Sequence, residues 1–305
     1  MEEGAQIELR TPVSGAHAEL LEGIFWEMPD CPWGLMQREP GDPFELFGYF
    51  PDADAGRRAY AELRERISEL PEDPAETRIE DAEWQTAYKR YIRPWSERGL
   101  HWIPLWERPS TRPPSHAAVV YLDAGMAFGT GSHATTRLCA RRLIDDREAH
   151  PNEIGRRRVV DAGCGSGVLA LSAAALGYRR IDAFDNDPDA IAVCHANARE
   201  NPGLALPSFR VAGLDDGLRA SEADLVLANI QTNILLPGAD SLVRAVAPGG
   251  TLVLSGVLAD EADRVRERFQ RAFAENGRPA PAFDTRREDA WTDLCFRRPA
   301  APGEA

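Results

Sequence analysis

Between Arg158 and Asp185 the chain spells out a strand, a glycine turn, a helix and a second strand that ends in an acid, and no other stretch restricts the surrounding fold as much. Arg158-Val-Val-Asp161 has the character of a buried strand. It breaks into Gly163-Cys-Gly165-Ser-Gly167, and alternating glycines let a backbone turn sharply and come close to a ligand. A small-residue helix follows from Val168 to Gly177. A second strand, Arg180-Ile-Asp-Ala-Phe, then leads to Asp185, 22 positions beyond Gly163. This order is that of a nucleoside-binding βαβ unit, in which the acid closing the second strand accepts hydrogen bonds from both ribose hydroxyls. A bare turn would account for the glycines but not for the order.

The spacing separates the candidate ligands. A dinucleotide fingerprint reads G-x-G-x-x-G and sets a helix N-terminus under a pyrophosphate. Here the loop reads G-x-G-x-G, with Asp161 two residues ahead of the first glycine. S-adenosyl-L-methionine has no phosphate, and its methionine end carries an ammonium group that an acid at the loop suits. It is therefore the expected cofactor, with Asp161, Gly163, Gly165, Gly167 and Asp185 around it.

From about residue 117 strands and helices alternate, which predicts a parallel sheet with helices on both faces. Asp187 is placed to cap a helix opened by Pro188 and running through Ile191 and Cys194 towards Asn201. Glu222 to Asn229 reads as the fourth strand and Gly250 to Ser255 as the fifth. Asp260 is placed to cap a helix ending at Asn276-Gly277. Segments near Ala282–Thr285 and Trp291–Arg297 bring the strands to seven. Residues 145–158, polar and charged, are expected to form a surface loop.

The first 80 residues read as a separate α/β unit. Ala5 to Arg10 alternates as a half-buried strand, and His17 to Met28 has helical periodicity. Trp33–Arg38 and Phe44–Phe50 suggest a hairpin. Asp54 to Leu70 predicts an amphipathic helix with Tyr60, Leu63, Ile67 and Leu70 on one side, and Thr77–Glu80 a last strand. The order βαββαβ is the ferredoxin-like arrangement. Between the two units, Trp84, Tyr88, Tyr91 and Trp95 fall at spacings of 4, 3 and 4, the stripe of one helix, and Pro109, Pro113 and Pro114 end the connector.

The net charge of −14 lies in one place: residues 1–83 hold 21 acidic side chains and 7 arginines, and the rest of the chain is balanced. An acidic face attracts a basic partner and disfavours bulk nucleic-acid binding; plain solubility is the blander account. No apolar run reaches the length of a membrane span, and Met1-Glu-Glu-Gly lacks the marks of a signal peptide. Five scattered cysteines without C-x-x-C pairing point to reduced thiols in a cytoplasm, and neither they nor the histidines show metal-ligand spacing.

Two further segments carry chemistry. Ala127-Phe-Gly-Thr-Gly-Ser-His-Ala-Thr-Thr136 enters a helix (Arg137 to Leu143) with hydroxyls at 130, 132, 135 and 136, more than capping alone requires. Thr130 and Thr136 are candidate cofactor contacts, while His133 reads as a local hydrogen-bond partner rather than a base. Asn229-Ile230 closes the fourth strand at the edge where open α/β sheets bind ligands. An amide there accepts a hydrogen bond from an amine nucleophile and orients it, so Asn229 and Ile230 are the candidate catalytic residues.

Phe128 to Thr136, Asp161 to Gly167, Asp185-Asn-Asp-Pro188, Ala228-Asn-Ile230 and Pro248-Gly-Gly with Leu254 to Ala259 resemble, in order, the ribosomal protein L11 methyltransferase family. The resemblance runs from about residue 79 to 297. It implies a class I, Rossmann-like methyltransferase domain of seven strands at 117–298, and a small acidic ferredoxin-like substrate-recognition domain at 1–81. A linker at 82–116 and a tail at 299–305 complete the chain. It also implies cofactor contacts at Thr136, Gly163, Asp185 and Asn229, and methylation of lysine side chains and the N-terminal amine of ribosomal protein L11, in the cytoplasm. Three departures stand out: a longer polar insertion at 145–158, Gln231 to Pro237 in place of a small-residue continuation, and a first stretch of about 75 residues that matches by architecture rather than by sequence. Another protein or a small molecule as acceptor, and a module that binds the cofactor without turning it over, are the competing readings. RNA methylation would call for a basic N-terminal domain.

Overall fold

Each element of the first unit follows from its local pattern. In the computed structural model, which describes residues 6–28, 31–37, 43–79, 89, 92–123, 131, 133–219 and 222–301, the chain divides into two compact units, Met1–Ile92 and Arg93–Ala305. The first contains β1 (Gln6–Val13), α1 (Gly15–Glu27), β2 (Trp33–Gln37), β3 (Phe44–Phe50), α2 (Ala53–Arg66) and β4 (Ala75–Ile79). Ser14 Oγ caps α1 by accepting from the His17 amide at 3.2 Å, and Asp52 caps α2 by accepting from the Ala55 amide at 2.8 Å. The strands form an antiparallel sheet ordered β2-β3-β1-β4, the ferredoxin-like arrangement expected from the element order. Leu9, Leu21, Leu46, Tyr60 and Leu63 fill its core. Helix α2 stops at Arg66, not Leu70. Ile67 leaves helical geometry with φ −131°, yet it and Leu70 remain buried.

The second unit begins where a connector was expected. Trp84, Tyr88 and Tyr91 lie outside the described residues, but Trp95 belongs to a strand, not to a helix. β5 (Trp95–Glu97) and β6 (Leu100–Pro104) form a hairpin whose two turn residues, Arg98 and Gly99, both have positive φ, 44° and 83°. That geometry matches the twist of paired strands. β7 (Ala118–Leu122) pairs with β6 in parallel, making a three-stranded sheet. Trp102 anchors it: its indole N–H donates to Ser172 Oγ at 2.8 Å, and its ring lies 4.2 Å from that of Trp95.

The main sheet follows. α3 (Ala134–Ala149), β8 (Arg158–Ala162), α4 (Val168–Ala175), β9 (Arg180–Asp185), α5 (Pro188–Arg199), β10 (Ser208–Val211), α6 (Leu214–Leu218), β11 (Ala223–Asn229), α7 (Thr232–Arg244), β12 (Val246–Leu258), α8 (Ala262–Glu275), β13 (Ala282–Glu288) and β14 (Trp291–Arg297) occur in that order. Seven strands align as β10-β9-β8-β11-β12-β14-β13. β8 to β12 run parallel. β14 is antiparallel to both its neighbours, because a two-residue turn folds it back on β13. Alternate residues of the central strands enter two cores. Val159, Leu225, Leu227 and Val253 face one, and Val160, Val226, Ala228 and Leu252 the other.

The polar stretch 145–158 is not all loop. α3 continues to Ala149, and only the turn before β8 is irregular. Asp146 and Arg157 within the stretch are buried, while Arg147, Glu148, Glu153 and Arg156 are exposed. Arg142 holds Asp293 through two hydrogen bonds of 2.7 Å, and Arg157 holds Asp146, which also accepts from Tyr178 Oη at 2.7 Å. Among the described residues no helix is long and apolar enough to cross a membrane. No group of three or more His, Cys, Asp or Glu among them could hold a metal, and all five cysteines are free.

Candidate active site

Strands β8 and β11 are neighbours, and the chain winds outward from them in opposite directions, to β9 and β10 on one side and β12 on the other. The carboxyl ends of such a pair form the crevice where open α/β sheets take their ligands. Ala162 pairs with Ala228, so Gly163 and Asn229 leave the sheet side by side.

The glycine loop is held open by its backbone. Gly163, Gly165 and Gly167 have φ of 73°, 51° and 79°, a region that side chains disfavour. Phe184 O accepts from the amides of Gly163 and Cys164, at 2.9 and 3.0 Å. A Cβ on Gly163 would lie 2.3 Å from Ile230 Cγ2, so Ile230 packs directly on the first glycine. Asp185, ending β9, braces the loop from the far side. Its carboxylate accepts from the Gly165 amide at 2.9 Å and from the Asp187 amide at 3.1 Å. Asp187 in turn caps α5 by accepting from the Asp189 amide at 2.8 Å, as its place before Pro188 predicted.

Asp161 lies beneath the loop with 1% of its surface exposed. One carboxylate oxygen accepts from the Ala170 amide at 3.0 Å; the other, Oδ1, is buried with no hydrogen-bond partner. Burial pushes the carboxyl up to about 7, against the pull of the Ala170 amide, and the Asp185 charge adds to the rise. A cation beside Oδ1 would favour the charged form and draw that value down.

The opposite wall comes from the start of α3 and the end of β11. Thr136, fully buried, lies within 3.3 Å of Asn229, whose Nδ2 donates to Thr136 Oγ1. That leaves Asn229 Oδ1 buried and unpartnered. Thr135 is held from behind, where Ser255 Oγ donates to its carbonyl at 3.0 Å. His133 caps α3, with Nδ1 2.7 Å from Thr135 Oγ1 and its ring edge-on to Trp291. Burial and the Arg137 charge push its imidazole down to about 4, so it is neutral, as befits a cap rather than a base. Gly131 has φ of 82°, and a Cβ there would strike Trp102 at 2.6 Å.

The structure brings together Thr136, Asp161, Gly163, Gly165, Gly167, Asp185, Asn229 and Ile230. Thr130 lies outside the described residues. Sequence reasoning missed Ser255, Gly256 and Asn197. A Cβ on Gly256 would lie 2.7 Å from Ile230 O, so Ile230 is clasped between two glycines. The Leu254-Ser-Gly-Val run was the available signal for the first two.

The chain is also similar to known proteins. The family model described as ribosomal protein L11 methyltransferase matches residues 33–297. A ribosomal protein L11 methyltransferase of Syntrophotalea carbinolica is 36% identical over 83% of this chain and 81% of its own length. Its counterpart in Symbiobacterium thermophilum is 33% identical over 90% of this chain and 86% of its own length. Among solved structures, a ribosomal protein L11 methylase of Lactobacillus delbrueckii subsp. bulgaricus shares 27% identity. It superposes with a TM-score of 0.56 over 68% of this chain and 99% of that one.

Proposed function

Because this chain belongs to the ribosomal protein L11 methyltransferase family, we propose that it transfers methyl groups from S-adenosyl-L-methionine to amino groups of ribosomal protein L11, on lysine side chains and the N-terminus. One observation carries the assignment to this crevice: two buried oxygens without partners, Asp161 Oδ1 and Asn229 Oδ1, on adjacent strands at the switch point. The residues fit the cofactor. Asp161 Oδ1 matches the ammonium of its methionine end, Asp185 the ribose hydroxyls, and the positive-φ glycines leave room for close approach. Thr136 and Asn229 complete the wall. When bound, S-adenosyl-L-methionine supplies an electrophilic methyl group on a sulfonium.

The chain's own task is to present a neutral amine in line. For a lysine of ordinary pKa, losing the proton at pH 7 costs about 4–5 kcal/mol. Asn229 Oδ1 and the backbone carbonyl at 229 or 230 accept from that amine and orient its lone pair, while the Ile230 side chain keeps water from one side. The acidic first unit draws in a basic protein and repels nucleic acid. The reaction takes place in the cytoplasm, where thiols stay reduced.

The test is to incubate the protein with methyl-labelled cofactor and total ribosomal protein, then identify what is labelled. Lys89 is the only lysine in this sequence, so self-labelling is confined to it and the N-terminus. Label on L11 is expected. Label on no ribosomal protein rules the acceptor out, and label on another one replaces it.

A further inference from the structure

A glycine loop keeps the shape a ligand needs only if its carbonyls, like its amides, find partners. In this protein those partners lie on α5. Cys194 Sγ donates to Gly165 O at 3.0 Å, and Asn197 Nδ2 donates to Ser166 O at 3.0 Å. Consecutive carbonyls of the loop are thus held by residues one turn apart on one helix face. The same seam continues to β7. Asn197 Oδ1 accepts from the Asp123 amide at 2.8 Å, while Asn201 brackets Tyr121, accepting from its amide at 2.9 Å and donating to its carbonyl at 2.6 Å. Both asparagines are buried, at 2% and 7% exposure. Asn201 Nδ2 also donates to Asn197 O at 2.8 Å.

We propose that Asn197 is a positioning residue for the cofactor. Its one amide joins the glycine loop to Asp123 at the end of β7, and so fixes the loop against the neighbouring sheet. Asn201 differs in kind: it fastens α5 to β7 but makes no contact with the loop. The inference rests on the reading of the crevice as an S-adenosyl-L-methionine site.

The two asparagines supply their own control. Asn197→Asp keeps an oxygen for the Asp123 amide but loses the donor to Ser166 O and sets a carboxylate oxygen against that carbonyl. Asn201→Asp keeps the bond from the Tyr121 amide and loses its two donated bonds. Both variants lower the melting temperature. Only Asn197→Asp is expected to weaken S-adenosylhomocysteine binding in calorimetry, and to raise the KM for S-adenosylmethionine, by about tenfold or more, the worth of one buried donor. Its kcat at saturating cofactor should stay within about threefold, a change of under 1 kcal/mol. Asn201→Asp should leave both cofactor constants within the same narrow range. Equal losses of affinity in the two variants, or none in a folded Asn197→Asp, overturn the proposal. If Asn197→Asp does not fold, Cys194 decides: Cys194→Ala should weaken binding several-fold and Cys194→Ser should restore it, and no difference between them overturns the proposal. A wild-type protein that fails to bind S-adenosylhomocysteine overturns the underlying cofactor reading instead.

Discussion

Asn229 and Asp161 each bury an oxygen that the folded chain does not satisfy, a cost in stability that the proposed cofactor site accounts for. Removing the amide oxygen in Asn229→Ala should lower kcat roughly 10- to 100-fold, the worth of one buried hydrogen bond of about 1–3 kcal/mol. Wild-type turnover with unchanged cofactor affinity would deny Asn229 any role. For Asp161 the sign follows from its raised carboxyl. The folded protein holds this proton up to about pH 7 while the unfolded chain releases it near 4, so stability falls as pH climbs between those values. Asp161→Asn should therefore raise the melting temperature of the ligand-free protein at pH 8 and change it little at pH 4. The same variant should bind the cofactor more weakly at pH 8, and wild-type affinity should decline below about pH 7 as Asp161 is neutralised. Melting curves shifted equally at both pH values would contradict this account.

At the scale of the element, α3 shows how charge misleads a reader of sequence. Arg142 and Asp146 sit on a helix that looks solvated, yet both face inward and find partners beyond it, Asp293 and Arg157. Arg142→Ala leaves the buried Asp293 carboxylate without its charge partner, though the Arg286 amide still donates to it, and should cost about 3–5 kcal/mol in urea denaturation, whereas Arg142→Met with Asp293→Leu should cost less. A double variant as damaged as the single one would mean that the pair does not act as a unit. The βαβ unit was legible because its glycines and closing acid answer backbone demands that only those residues meet. β5 and β6 were not, because their turn places Arg98 at a positive φ where Asn or Gly is the usual signal. Asp161, Asp185 and Asn229 could be read from their places at strand ends. Asn197 could not, since it matters only once segments tens of residues apart have met.

Over the whole molecule, the proposed role of the −14 charge of residues 1–83 is to steer a basic substrate. Glu62, Glu65, Glu69 and Asp73 are exposed on the first unit, and a basic protein approaching such a surface is steered by long-range attraction. Raising the salt from about 50 to 500 mM shortens the screening length several-fold, so kcat/KM for the protein acceptor should fall while the KM for the cofactor stays flat. An acceptor rate indifferent to salt would remove the acidic unit from recognition. A different consequence follows from the two strands that end the main sheet. β10 is four residues long and is preceded by Pro207, and β13 carries Asp284, Arg286, Arg287 and Glu288 within seven residues. A short rim behind a proline and a rim studded with charge both refuse to template another chain. The sheet is thereby protected against growing edge to edge into aggregates when the protein is concentrated.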